Sequence, residues 1–185
     1  MPLIEVFPEE IRRVSESGSC LLMLTIPSSG RCIPVVIREP EAEAIILALQ
    51  AVKTERPMTH RLMCNIMHEY GLSLKEVTIE RFSEGIYYSS LTLSDGFNDK
   101  RIDSRTSDAI TLALTAHAPI YATQNIIDET SVEPLLLDNP GEERFTHQTL
   151  EELEEKLQEC LDNEDYEQAA EIQAQIDKVR ARTGQ

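Results

Sequence analysis

The stretch Ile102–Ala122, IDSRTSDAITLALTAHAPIYA, decides the class of fold. It starts on a short strand pattern around RIDS, and Ser107 is of a residue type that caps helices. The run DAITLALTAH is typical of a buried helix, which Pro119 ends, and APIYATQ is typical of a strand. The stretch therefore predicts a strand, a helix and a second strand in direct succession.

Strands and helices are also mixed on the amino-terminal side of this stretch. The apolar runs LIEVF, CLLMLTI and RCIPVVI are separated by turn clusters and predict a three-strand meander. REPEAEAIILALQAV predicts a helix with Pro40 at its start, and Thr59 and Gly71 bound a second predicted helix. LKEVTIERF and IYYSSLTLS, joined by SEG, predict a hairpin. Because strands and helices do not alternate strictly, the sequence predicts an α+β domain with a mixed or antiparallel sheet and packed helices.

The character of the chain changes near residue 138. DNPGEERFTHQ is polar and contains Pro140 and Gly141, which predicts a linker over residues 139–147. We predict one domain over residues 1–138 and an α-helical hairpin over residues 148–183, because leucines recur there at helical spacing. A hairpin with one apolar stripe on each helix buries little surface alone. We therefore expect it to pack on a protein partner or on a second copy, and the protein to be a homo-oligomer.

Composition and charge limit the classes of function. The formal net charge is −16, and residues 141–185 contribute −8 of it with 5 basic and 13 acidic side chains. This charge disfavours tight, nonspecific binding of nucleic acid, which needs a basic surface. The four cysteines form no C-x-x-C pair, so neither a zinc cage nor a disulfide framework is expected. No secretory signal or membrane-length apolar run is recognised, and we expect a cytoplasmic protein without membrane contact.

Polar residues gather where the predicted strand at RIDS meets the predicted helix. Asp103 and Arg105 alternate on the strand end, and Ser107 and Asp108 begin the helix. A helix amino terminus with carboxylates fits a metal or phosphate site, in which Asp103 and Asp108 are catalytic residues and metal ligands and Arg105 and Ser107 bind phosphate. The same residues also fit a structural role, with Ser107 as a cap and an Asp103–Arg105 ion pair.

His60 is the second candidate centre of chemistry. It follows the predicted helix start at Thr59 and is near Arg56 across Pro57. Histidine exchanges protons near neutral pH, which suits a general base or acid, and arginine binds phosphate bidentately. A surface histidine without function fits the same position equally well. Glu41 and Glu43 fit the positive end of a helix dipole.

Two segments carry a family resemblance as a set. ERPMTHRL and IDSRTSDAITLALTAHAPIYA, with GRCIPVVIREPEAEAI upstream, resemble the signature of the bifunctional nuclease family over roughly residues 30–130. LEEKLQECLDNEDYEQAAEIQAQI resembles the UVR motif, which mediates protein–protein contact. The resemblance implies a nuclease that acts on DNA and RNA, for which we expect Mg²⁺ or Mn²⁺ as cofactor. Arg61 stands where the family often has Asp, and Thr106 where it often has Pro.

Three hypotheses follow from these observations. The first is a nuclease that hydrolyses phosphodiester bonds with a divalent metal and contacts its nucleic acid substrate transiently. The second is a non-catalytic oligomeric scaffold or adaptor that recruits partners through the UVR-like hairpin, which the charge of −16 and Arg61 favour. The third is a small-ligand module in which Arg56, His60 and Arg105 receive an anion. Whether His60, Asp103 and Asp108 meet in one cleft distinguishes these hypotheses.

Overall fold

A computed structural model describes residues 2–14, 18–52, 54–134, 144–146, 157–158 and 172–173. The chain divides into two units, Met1–Thr146 and His147–Gln185. In the second unit, residues 157–158 and 172–173 are helical, and the remainder of the predicted hairpin lies outside the described residues. The hairpin therefore stays a prediction from the sequence.

The described residues of the first unit form strands and α-helices in mixed order. The strands are β1 (Leu3–Glu5), β2 (Phe7–Arg13), β3 (Ser19–Ile26), β4 (Arg31–Arg38), β5 (Ser73–Ser83), β6 (Ile86–Ser94), β7 (Asp99–Arg105), β8 (Ile120–Thr123) and β9 (Arg144–Thr146). The helices are α1 (Glu39–Leu49), α2 (Thr59–Glu69), α3 (Thr106–Ala116) and α4 (Gln124–Thr130). This arrangement confirms the α+β class.

Two sheets share one hydrophobic core. The larger has the strand order β1-β8-β5-β6-β7 and the smaller the order β4-β3-β2-β9. Among the described residues, every strand pairing is antiparallel except that of β8 with β5, which is parallel. The core combines buried residues of both sheets with residues of α1, α3 and α4, such as Leu22, Ile45, Ile79, Ile110 and Ile126. Burial of these side chains is the main stabilising term of the domain.

The hairpin predicted from two alternating runs is confirmed. β5 pairs with β6 from Ser73 opposite Ser94 to Ser83 opposite Ile86. The connecting Glu84 and Gly85 have φ of 52° and 79°. Two successive positive φ values match the right-handed twist of the flanking strands, which is why Gly is favoured here. The hairpin places β7 at the edge of the larger sheet, where it leads into α3.

The prediction that LIEVF opens the three-strand meander is wrong. Leu3 pairs with Thr123, so β1 lies in the larger sheet, and the meander begins one strand later at β2. The register of β2 against β3 shifts between Pro8 and Glu10. Such a bulge accommodates a proline, which lacks the N–H that a regular ladder requires. Because Pro8 and the charged residues after it interrupt the alternating apolar pattern, β2 is not recognised as a strand from the sequence.

Helix boundaries differ by a residue or two from the sequence prediction. Thr59 and Ser107 were predicted to cap helices, but both lie inside α2 and α3, whose N-cap residues are Met58 and Arg105 without a side-chain cap. The Ser107 cap and the Thr59 cap are therefore wrong. Gly71 ends α2 as predicted, because its φ of 67° lets the N–H groups of residues 71 and 72 bond back to His68 and Met67.

The four-stranded sheet reaches into the segment predicted as a linker. β9 pairs antiparallel with β2, with Arg144 opposite Arg12 and Thr146 opposite Glu10. Three residues of the 139–147 segment thus belong to the sheet of the first unit. None of the helices in the described part of the chain has the length and apolar character needed to cross a membrane.

Candidate active site

A cleft of about 1070 Å³ opens beside the start of α3. Its walls come from α1, α2, α3 and the adjoining part of β7. Because α1 and α2 both pack on α3, the segment containing His60 is brought to the segment containing Asp108. The cleft therefore joins the two polar segments that the sequence singled out, and Asp103 borders it as well.

Arg105 and Asp108 form a bidentate ion pair in the cleft. Arg105 is the last residue of β7 and Asp108 lies in the first turn of α3, so they stand three residues apart across the strand-to-helix junction. Arg105 Nε donates to Asp108 Oδ2 at 2.7 Å, and Nη2 donates to Oδ1 at 3.0 Å. This geometry fixes the plane of the guanidinium relative to the helix start.

Glu41 reaches the same guanidinium from the first turn of α1. Arg105 Nη1 donates to Glu41 Oε1 at 3.1 Å, a contact between residues 64 positions apart. The other oxygen, Glu41 Oε2, is buried and has no hydrogen-bond partner among the described residues. A buried carboxylate oxygen without a donor is unfavourable, so this atom marks a place where a cation or a donor from outside fits.

His60 completes the cluster. It is the second residue of α2, largely buried, and its Nε2 lies 3.5 Å from Asp108 Oδ1. A carboxylate beside an imidazole orients the ring. The other ring nitrogen is then the one that can exchange a proton with a bound molecule. We call the four residues Glu41, His60, Arg105 and Asp108 the cleft cluster.

The charged groups of the cleft cluster shift each other's pKa values. Partial burial alone would raise the pKa of Asp108, but the hydrogen bonds and charge of Arg105, with a contribution from His60, outweigh it and hold that pKa below its ordinary value. The carboxylate of Asp108, with that of Glu41, raises the pKa of Arg105 above its ordinary value. Asp108 therefore remains an anion and Arg105 a cation across the range in which proteins function.

Three further residues predicted for the site lie outside this cluster. Asp103 is exposed and borders the cleft, but its partner in the sheet is Ser90 on β6, and its carboxylate has no ion-pair partner among the described residues. Arg56 lies in an exposed loop, where its carbonyl accepts a bond from Thr54 at 2.6 Å. Ser107 is half-buried in α3, and its carbonyl accepts a bond from Thr111. Neither Arg56 nor Ser107 lines the cleft.

Thr106 holds the start of α3 against the sheet. Its buried hydroxyl donates to the carbonyl of Tyr87 at 3.1 Å. The hydroxyls of Thr106 and Ser89 are 2.7 Å apart, so Ser89 acts as the donor in that second bond. Thr106 lies between Arg105 and Asp108, so these bonds fix where the ion pair stands. No pattern in the local sequence indicates this role of Thr106.

Comparison with known proteins identifies the first unit. The sequence model of the bifunctional nuclease domain matches residues 22–134. The chain belongs to the bifunctional nuclease domain family. The model of the UvrB/UvrC motif, or UVR motif, matches residues 148–182. Both resemblances expected from the sequence are thereby confirmed.

Relatives of this bifunctional nuclease domain protein occur in bacteria and plants. An uncharacterized protein of Mycobacterium tuberculosis is 32% identical over 153 residues, which cover 83% of this chain and 90% of that protein. Bifunctional nuclease 2 of Arabidopsis thaliana is 22% identical over 89% of this chain and 56% of its own length. Bifunctional nuclease 1 of the same plant is 21% identical over 83% of this chain and 54% of its own length.

The donor types of this bifunctional nuclease domain suit a hard divalent cation. Glu41, Asp103 and Asp108 offer carboxylate oxygens along the cleft, and Glu41 Oε2 is buried without a partner. Both oxygens of Asp108 already accept bonds from Arg105. Within the described ranges, no group of three or more His, Cys, Asp and Glu side chains is arranged around one point. The carboxylates therefore have the chemistry of metal ligands, and the positive charge bound to Glu41 and Asp108 is the guanidinium of Arg105.

Glu41 is the residue of this cleft that sequence reasoning missed. It was assigned to the dipole of α1, where acidic residues are common. Its position within the E-A-x-A-I part of the family signature was the available signal. The contact with Arg105 depends on how α1 packs on α3, and local sequence does not specify that packing.

Proposed function

We propose that the first unit hydrolyses phosphodiester bonds of DNA and RNA in the cleft. One observation supports this most strongly: a histidine, two carboxylates and an arginine from four separate elements, α1, α2, β7 and α3, converge beside the start of α3. These are the residue types that proton transfer and phosphate binding require. Membership of the bifunctional nuclease domain family supports the same chemistry.

Each residue of the cleft cluster has a distinct role in the proposed reaction. His60 exchanges a proton with the attacking water or with the leaving oxygen. Asp108 orients the imidazole of His60 through the contact at 3.5 Å. Arg105, whose side chain is 68% exposed, binds the phosphate of the substrate. Ser107 and Arg56 were predicted to bind phosphate too, and from their positions they would contact only parts of the substrate beyond the cleft.

A divalent cation, Mg²⁺ or Mn²⁺, is part of the proposal. Asp108 and Asp103 were the predicted ligands, and Glu41 joins them because of its buried free oxygen. When bound, the cation supplies charge neutralisation at the phosphate and a more acidic water. The protein needs that added charge because its formal net charge is −16. The same charge keeps contact with nucleic acid transient.

The test is a time course of hydrolysis of single-stranded DNA and of RNA, with Mg²⁺, with Mn²⁺ and with a chelator. The wild type should cleave both substrates only with metal. His60→Ala should lower turnover by ~10²–10⁴-fold through loss of proton transfer. His68→Ala is the matched control, because His68 is an exposed histidine in the last turn of the same helix. It should keep the wild-type rate.

Two results would contradict the nuclease proposal. Activity that persists in chelator, or that is equal in the wild type and in His60→Ala, would indicate a contaminating nuclease. The absence of activity under every metal would favour the adaptor alternative, in which the cleft cluster is structural.

We also propose that the second unit recruits a protein partner or a second copy of the chain. The match of the UVR motif to residues 148–182 supports this role. Deletion of residues 147–185 leaves β9 in place and tests the unit alone. The number of chains per particle, measured by light scattering, should fall, or a copurifying partner should be lost. An unchanged number of chains with no lost partner would contradict the proposal.

A further inference from the structure

Of the four carboxylate oxygens in the cleft cluster, three accept hydrogen bonds from Arg105 and one has no donor among the described residues. Arg105 donates to both oxygens of Asp108 and to Oε1 of Glu41. The fourth oxygen, Glu41 Oε2, is buried and accepts no bond from the described residues. One guanidinium thus bridges two carboxylates and leaves one buried acceptor open. A ligand with more than one positive charge would satisfy this set more fully than Arg105 does.

Charge leads to the same conclusion. Two ionised carboxylates and one guanidinium leave the cleft cluster with one negative charge when His60 is neutral. Arg105 in this state is neutralised by Glu41 and Asp108, so it has little attraction left for a phosphate. A divalent cation at the carboxylates would balance both negative charges and leave the charge of Arg105 uncompensated.

The side chain of Arg105 is free to leave at modest cost. It is 68% exposed, whereas the side chain of Glu41 is 21% exposed. Solvent screens the ion pairs of an exposed arginine, so release of the Arg105 side chain costs less than release of a buried guanidinium would. The carboxylates therefore form the fixed part of the cleft cluster, and the guanidinium forms the movable part.

We propose that Arg105 is an exchangeable counter-ion of the Glu41–Asp108 pair. A divalent cation that binds these two carboxylates displaces the guanidinium, which becomes available to the phosphate of the substrate. Arg105 and the cation compete for the same oxygens, so each weakens the binding of the other. Only the last step, binding of the substrate phosphate, rests on the proposed nuclease function.

Competition makes an unusual prediction about metal affinity. Arg105→Gln should bind Mn²⁺ more tightly than the wild type, by about tenfold, in the range typical of coupled sites. The probe is Mn²⁺ itself, titrated into the full-length protein and followed by calorimetry and by paramagnetic broadening of protein resonances. Arg101→Gln is the matched control, because Arg101 lies on the same strand but pairs with Glu80 instead. It removes the same charge and should leave Mn²⁺ affinity near that of the wild type.

A second variant keeps the test decisive. Glu41→Gln combined with Arg105→Gln should lose the gain in affinity, because the carboxylate with the open oxygen is removed. Circular dichroism and thermal melting establish that each variant is folded. Equal or weaker Mn²⁺ binding by Arg105→Gln, or an equal gain in Arg101→Gln, would overturn the exchange. So would the absence of saturable Mn²⁺ binding in all the proteins. Tighter binding by Arg105→Gln in a chain without nuclease activity would refute the proposed function alone.

Discussion

Strand β7 carries two arginines, and each pairs with a carboxylate in a different setting. Arg101 bonds to Glu80 and to Ser90 across the sheet, where the carboxylate is 40% exposed to water. Arg105 bonds to Asp108 and Glu41 at the strand-to-helix junction, where Asp108 also contacts His60 and the second oxygen of Glu41 is buried without a partner among the described residues. The two arginines are four residues apart in one strand, yet only the second lines the cleft.

The difference shows that an ion pair becomes a candidate site through its surroundings. At Arg101, the partners Glu80 and Ser90 come from β5 and β6, and water reaches the carboxylate of Glu80. At Arg105, the partners Glu41 and Asp108 come from α1 and α3, which line the cleft together with α2. One buried oxygen of Glu41 is left there without a partner among the described residues. Variants made in parallel in the two regions therefore test whether this distinction is real.

The largest effect on stability is expected from one of two buried threonines, which lie one in each region. Thr106, between Arg105 and Asp108 in the chain, makes two hydrogen bonds. The Thr78 hydroxyl, on the sheet beside Ser90, has no partner among the described residues. Thr106→Val should lower the free energy of unfolding by about 1–3 kcal/mol, because Ser89 loses its acceptor. Thr78→Val removes an unsatisfied polar atom at constant shape and should be neutral or stabilising. Chemical denaturation measures both, and equal losses would contradict the assignment.

A smaller effect should appear in acid. The pKa of Asp108 is lowered in the folded protein, so its ion pair stabilises the fold above the unfolded pKa of about 3.9. That contribution is lost as the pH falls through the lowered pKa. The difference in unfolding free energy between the wild type and Asp108→Asn should therefore be constant from about pH 5 to 7 and shrink toward about pH 3. A difference that does not change with pH would show that Asp108 acts through packing instead.

Much of the fold was accessible from local sequence, and the exceptions are a long-range strand pairing and an interrupted strand. The β5–β6 hairpin follows from two alternating runs and a turn with glycine, so it was predicted correctly. β1 was placed in the wrong sheet because its partner, β8, lies more than a hundred residues away in sequence. β2 was missed because Pro8 and a bulge interrupt its pattern.

The residues of the candidate site that lie in the two motif segments could be predicted from the sequence. His60, Arg105 and Asp108 were singled out from two segments, and the structure brings them into contact. Glu41 was not, because an acidic residue in the first turn of a helix has an ordinary explanation in the helix dipole. Only the packing of α1 against α3 shows that its carboxylate faces Arg105.

The most direct test of the central claim compares the two regions in one assay. Initial rates of hydrolysis of single-stranded DNA and RNA would be measured for the wild type, Asp108→Asn and Glu80→Gln, all purified in the same way. Asp108→Asn should lose on the order of 10²-fold or more in rate, because His60 loses its orienting carboxylate. Glu80→Gln, which removes the same charge from the pair with Arg101, should keep the wild-type rate. Equal rates in all three proteins, or an equal loss in both variants, would contradict the assignment of catalysis to the cleft.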